Sequence, residues 1–152
     1  MQRLLYVSDS RIEAADVQSA VLQIVVNAQV KNIELGITGA LIFTGEHFAQ
    51  VLEGPQEAID TLMAYINADP RHGNLVVVDR SSITRRRFPD WQMAYQGPSP
   101  FVSRHVARLM HATSQSEQRR AAADWVIELA REFAVPRKLP DYWKLARTRP
   151  SS

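Results

Sequence analysis

The chain has 152 residues, 45% of them hydrophobic and 22% charged, with a net charge of +2, the makeup of one domain with at most a small appendage rather than of a disordered or strongly basic protein. It contains no cysteine, which excludes disulfides, thiolate zinc sites and Cys nucleophiles and fits a reducing compartment. The opening MQRLLYVSDS turns polar too soon for a signal peptide, and no apolar run approaches ~20 residues, so a cytoplasmic protein without membrane contact is expected.

In chain order, RLLYVS (3–8) reads as a strand, with Leu4, Tyr6 and Ser8 on one face and Leu5 and Val7 on the other. Both faces are mostly apolar, as in a central strand covered on two sides. Ser10 followed by Glu13 fits a capping box, and a helix is expected to about residue 30, with Val17, Ala20, Val21, Ile24 and Ala28 on one face. Gly36 and Gly39 punctuate the next loop. ALIFT (40–44) and HFAQVLE (47–53) flank Gly45 and Glu46, a tight hairpin. Gly54 and Pro55 open a second helix, with proline at its first position and Ile59, Leu62, Met63 and Ile66 as its apolar face. NADPRHGN ends that helix. LVVVDRS (75–81) and DWQMAY (90–95) are the fourth and fifth strands.

The order β-α-β-β-α-β-β predicts an α/β (α+β) ferredoxin-like sandwich, a five-stranded mixed sheet with two helices on one face. QGPSPF marks a boundary, after which Val102, Val106, Leu109 and Met110 pattern one helix, and Ala122, Trp125, Val126, Leu129 and Phe133 a longer one. These two helices are too small to form a domain and are expected to pack on the sheet or on a partner. The division is 1–96 for the sheet domain, 97–138 for the helical extension and 139–152 for a frayed tail.

His47, His72, His105 and His111 show no metal-binding spacing, so no metal is expected. There is no GxSxG elbow, P-loop or GxGxxG, and Glu53 and Asp69 are isolated carboxylates in the sequence. Hydrolase and metalloenzyme chemistry thus lacks its residues. Arg80, Arg85, Arg86 and Arg87 read either as a phosphate-binding patch or as a solvated loop between strands. The same element order occurs in RNA-recognition domains, but their exposed aromatic pattern is missing, and no nucleic acid is expected.

Polar residues inside apolar strands are more informative. In HFAQVLEG, Phe48, Gln50 and Leu52 share a face, and a buried amide must be hydrogen-bonded. First and third strands are often neighbours in this element order, so Tyr6 and Gln50 can meet, with Asn32 just after the first helix facing the same space. Together they can read a ligand edge of alternating donors and acceptors. The residues alone equally allow a core tyrosine, a helix C-cap and a satisfied amide.

The combination YVS, Asn32 to Gly39 within NIELGITGAL, FAQVLEG, DPRH and FPDWQM resembles the BLUF domain, a blue-light sensor that uses FAD, over residues 1 to 96. The two later helices resemble those of short BLUF proteins without a fused output domain. The resemblance implies noncovalent FAD between the two helices. It makes Tyr6 the photoactive tyrosine and Gln50 the switching glutamine. Asn32 would bond the flavin's pyrimidine edge, and Ile24 and Phe48 would make apolar contacts. Asp69, Arg71 and His72 would lie near the ring and side chain. Trp91 and Met93 match the pair on the last strand. The sequence departs from the pattern at Tyr65, where some members have arginine, and at Lys31 before Asn32.

A tyrosine can give an electron to a photoexcited flavin, and rotation or tautomerisation of Gln50 would add a bond at a flavin carbonyl. The implied activity is light sensing without substrate turnover. The signal would pass to a separate effector such as a cyclic-di-GMP phosphodiesterase or another regulator, from a homodimer or larger homo-oligomer. Two other functions remain open in the sequence: a flavin-dependent oxidoreductase, and a light-insensitive module that binds RNA or a metabolite.

Overall fold

Strand β1 (Gln2–Ser10) lies inside a sheet of order β4-β1-β3-β2-β5, formed with β2 (Thr38–Phe43), β3 (His47–Gly54), β4 (His72–Ser82) and β5 (Trp91–Gln96). The computed structural model describes residues 1–13, 17–96, 100–111 and 116–133. The expected tail and the side chains of Trp91 and Met93 fall outside that part. β1 runs antiparallel to β3 and β4, and β2 antiparallel to β3, while β5 is parallel to β2. Helices α1 (Val17–Leu35), α2 (Gln56–Ala68), α3 (Pro100–His111) and α4 (Ser116–Phe133) complete a mixed α+β fold.

Alternation along β1 and β3 sorts the core into two layers. Leu4, Tyr6 and Leu52 pack with Ile59, Leu62 and Met63 of α2. Beside them, Leu41, Phe43 and Phe48 meet Ile24 and Ala28 of α1. Leu5, Val7, Ala40, Ile42, Ala49 and Val51 face the other way. They pack against Val106 and Leu109 of α3 and Val126 and Ile127 of α4. The C-terminal helices therefore cover the sheet face opposite α1 and α2, which resolves the choice between sheet and partner.

Several boundaries differ from the sequence reading. α1 runs on to Leu35, because KNIEL contains no helix breaker. Gly36, at φ 69°, ends it: the Gly36 N–H bonds Ile33 O at 3.2 Å and the Ile37 N–H bonds Asn32 O at 2.8 Å. This is a Schellman stop, which needs a left-handed residue. Asn32 is thus inside the last turns of α1 rather than after it. Ser10 belongs to β1, and its Oγ accepts the Ile12 N–H at 3.3 Å, so it is not the cap of α1. Pro55 is the residue before α2 and not its first turn, and its carbonyl accepts the Ile59 N–H at 3.0 Å. β4 begins at His72, three residues earlier than 75, and slips register against β1 between Leu5 and Tyr6 and again between Val7 and Asp9.

Gly39 is required by close approach, since a Cβ there would lie 1.8 Å from Val51 O. Glu53 is not isolated. Fully buried, it accepts Arg3 Nε and Nη2 at 3.1 and 2.9 Å, the Arg87 N–H at 3.2 Å and the Phe88 N–H at 2.7 Å. The segment with Arg85, Arg86 and Arg87 is a largely exposed loop between β4 and β5, as one reading has it, but two of its arginines are tied to the protein. Arg86 donates to Thr38 Oγ1, Glu53 O and Gly36 O, and Arg87 donates to Glu128 Oε1 of α4 at 2.6 Å.

Candidate functional site

Because β1 and β3 pair with Tyr6 directly opposite Gln50, their side chains emerge side by side on the α1/α2 face. The Tyr6 hydroxyl donates to Gln50 Oε1 at 2.5 Å, and both residues are buried. Burial, and then the negative charge of Asp69, push the Tyr6 phenol far above its ordinary value, so it remains the donor. Among the described residues the Nε2 end of Gln50 meets no acceptor. Within the described residues that end is a buried donor without an acceptor.

A cavity of about 220 Å³ lies here, walled by the sheet, α1 and α2. The sheet contributes Tyr6, Leu41, Phe48 and Gln50; α1 contributes Ile24, Asn27, Ala28, Lys31 and Asn32; α2 contributes Leu62, Tyr65 and Ile66. Asp69, Arg71 and His72 line it as well. The structure thus gathers Tyr6, Ile24, Asn32, Phe48, Gln50, Asp69, Arg71 and His72 around one space. Sequence reasoning had not placed Asn27, Ala28, Leu41, Leu62 or Ile66 in the site. The signal was available for α1: Ile24, Asn27, Ala28, Lys31 and Asn32 form one stripe at helical spacing. It was obscured by ending the helix near residue 30.

Asp69, Arg71 and His72 are tied by hydrogen bonds. His72 Nε2 donates to Ile66 O at 2.6 Å, which leaves Nδ1 to face Ser8 Oγ at 2.8 Å. The ring packs edgewise on Tyr6 and Phe48, with centroids 6.1 and 6.2 Å apart. Burial alone would raise the Asp69 carboxyl. Hydrogen bonds and charge from Arg71, with His72, hold it below the usual carboxylate range.

Trp91 and Met93 are placed by backbone register alone. Met93 pairs with Leu41, which pairs with Gln50, which pairs with Tyr6, one row across four strands. Trp91 falls in the row of Gly39, Leu52 and Leu4.

The cavity suits a flat, largely uncharged ring. Its walls are mostly apolar, and its polar groups include the amides of Asn27, Asn32 and Gln50, the last with a donor that meets no acceptor among the described residues, beside Tyr6 and the ion-paired Asp69 and Arg71. A flavin has such a ring, with carbonyl acceptors along one edge.

Comparison with known proteins agrees. Residues 1–94 match the sequence model of the BLUF family, described as sensors of blue-light using FAD. The chain is similar to photoactivated adenylate cyclase subunit beta of Euglena gracilis, 34% identical over 93 residues, covering 61% of this chain and 11% of that protein. It is 41% identical over 61 residues to the blue light- and temperature-regulated antirepressor BluF of Escherichia coli (strain K12), covering 40% of this chain and 15% of that one. The dark-state structure of the BLUF protein BlrB superposes with a TM-score of 0.64 at 33% identity, covering 86% of this chain and 95% of that chain. The chain thus spans only a small part of the curated relatives it matches, 11% of the cyclase subunit.

Proposed function

Since the chain belongs to the BLUF family of blue-light sensors that use FAD, we propose that it holds FAD noncovalently in this cavity and signals through the Tyr6–Gln50 pair to a separate partner protein. The observation that carries the reading is the 2.5 Å bond from Tyr6 to Gln50 Oε1, with Nε2 of the same amide left without a described acceptor. Asn32, Ile24 and Phe48 would hold the ring, and Asp69, Arg71 and His72 would flank it. Bound there, FAD supplies blue-light absorption and an excited state able to accept an electron.

The chain's own residues supply the switch. Tyr6 keeps its proton at the hydroxyl and gives it as a hydrogen bond to Oε1. An amide carries opposite roles at its two ends. Exchanging them, by rotation or tautomerisation, turns the group facing Tyr6 from acceptor to donor and reverses the group facing the cavity. Such an element has two discrete states for light to bias. The cross-strand row from Gln50 through Leu41 to Met93 supports an output through β5, with Trp91 two rows away.

The reading includes no substrate turnover and a cytoplasmic location. Among the described residues, no helix is long and apolar enough to cross a membrane. It also includes a homo-oligomer and an effector such as a cyclic-di-GMP phosphodiesterase. The named relatives, a light-activated cyclase subunit and a light-regulated antirepressor, support an effector of that regulatory kind. The strand order supports a ferredoxin-like description of the sheet.

The test is spectroscopic. The purified protein should be yellow, with flavin bands that shift to the red under blue light and recover in the dark. Gln50→Leu and Tyr6→Phe should each keep FAD and lose the shift. A normal photocycle in either variant contradicts the assigned roles, and a protein that stays colourless after FAD is added contradicts the cofactor site.

A further inference from the structure

The cations around the cavity differ in how far they are already engaged. Arg71 gives Nε to both oxygens of Asp69 at 2.9 and 3.0 Å and Nη2 to Oδ2 at 2.5 Å, so its charge is met by a neighbouring carboxylate. His72 has both ring nitrogens occupied, by Ser8 and by Ile66 O. Lys31 is different. Its Nζ sits 3.7 Å from the centroid of the Tyr65 ring, joining α1 to α2 at the edge of the cavity. Among the described residues it has no carboxylate partner. Tyr65 is 56% exposed, so this is a rim contact, and cation–π attraction at such a site is weak. A charge-assisted bond to a phosphate oxygen is stronger. Among the described residues lining the cavity, Lys31 is therefore the cation that can leave its resting place at little cost.

We infer that Lys31, resting on Tyr65, reads the phosphate of a flavin nucleotide and gives this protein a preference for phosphorylated flavins over riboflavin. The inference rests on flavin binding in this cavity and adds the residue that selects among flavins. Tyr65 keeps the ammonium over the cavity rim when no anion is present. An incoming phosphate draws Nζ away from the ring.

The test titrates the 152-residue apoprotein in the dark with riboflavin, FMN and FAD, followed by flavin fluorescence at low and high salt. Wild type should bind FMN and FAD more tightly than riboflavin, and added salt should narrow the gap. Lys31→Met, which keeps an unbranched stem, should weaken FMN and FAD by roughly three- to tenfold and leave riboflavin within about twofold. Lys31→Arg should keep the preference. Equal weakening of all three flavins, or no change for FMN and FAD, overturns the role of Lys31. So does a wild type that binds riboflavin as tightly as FMN. Flavin binding without phosphate discrimination overturns this inference alone; a wild type that binds none of the three overturns the flavin reading with it.

Discussion

A phenol kept protonated beside a buried amide has consequences in alkali. The Tyr6 hydroxyl is raised by burial and by Asp69, while in the unfolded chain it titrates near ~10. The folded state therefore keeps a proton that the unfolded state loses. This contribution to stability is fully present below pH ~10 and is lost as pH rises from there through the folded value. Tyrosinate absorbance should show one tyrosine ionising only on unfolding in wild type and none such in Tyr6→Phe. Asp69 behaves in the opposite sense, its carboxyl being held low by Arg71 against the effect of burial. Its contribution is present above pH ~4 and disappears as pH falls through the lower folded value. Asp69→Asn should flatten the acid limb of a plot of melting temperature against pH, and an unchanged limb would show that the Asp69–Arg71 pair adds nothing to folding. At this scale the sequence was informative where side chains alternate on strands. It placed Tyr6 and Gln50 on inward faces, and only register was needed to make them partners. It could not show that Glu53 is bonded by Arg3 and by two backbone amides, because those donors come from distant segments.

Among elements, the stops mattered more than the starts. α1 was legible from its apolar spacing, but its end was set too early because the Schellman stop depends on the conformation of Gly36, not on composition. Gly36→Ala should lower the free energy of unfolding by about 1 kcal/mol, the penalty for a Cβ at positive φ, as read from denaturant midpoints. Gly39→Ala should cost more, because Val51 O occupies the place of the new methyl. The early start of β4 was hidden for another reason. DPRH has turn composition, yet His72 and Gly73 pair with Ser10 and Asp9 after two register slips. Glu53 ties three elements together, so Glu53→Ala leaves Arg3 and two amides without their acceptor. It should destabilise by roughly 3–5 kcal/mol, the range for breaking a buried ion pair. A loss under about 1 kcal/mol in the same denaturation experiment would mean that the loop at Arg87 and Phe88 is held by something else.

For the molecule as a whole, the sheet separates two compartments. One face holds the cavity; the other is covered by α3 and α4 through Val106, Leu109, Val126 and Ile127. The sequence identified both helices by their apolar periodicity but not the surface they would cover, since an amphipathic stripe does not name its partner. Leu109→Ala should cost about 2–4 kcal/mol in unfolding free energy, as for other buried leucines, and leave the dark flavin spectrum unchanged, because the residue lies behind the sheet. A shifted dark spectrum would show that the two faces are not separated in this way. A combined Leu109→Ala and Gly36→Ala variant should show additive losses, since the two sites share no partner.

β3 is fastened at both extremities. At its start the Thr44 N–H bonds His47 O at 3.1 Å and His47 Nδ1 faces Asp9 Oδ1 at 3.0 Å; at its end Glu53 is gripped by Arg3, Arg87 and Phe88. A ribbon clamped like this has little freedom to slide, and Gln50 lies between the clamps. Under the role proposed for Gln50, what light changes there is which end of the amide donates and which accepts, rather than the position of a strand. The message leaving the cavity is then one of polarity, passed between neighbours whose backbones stay where they are.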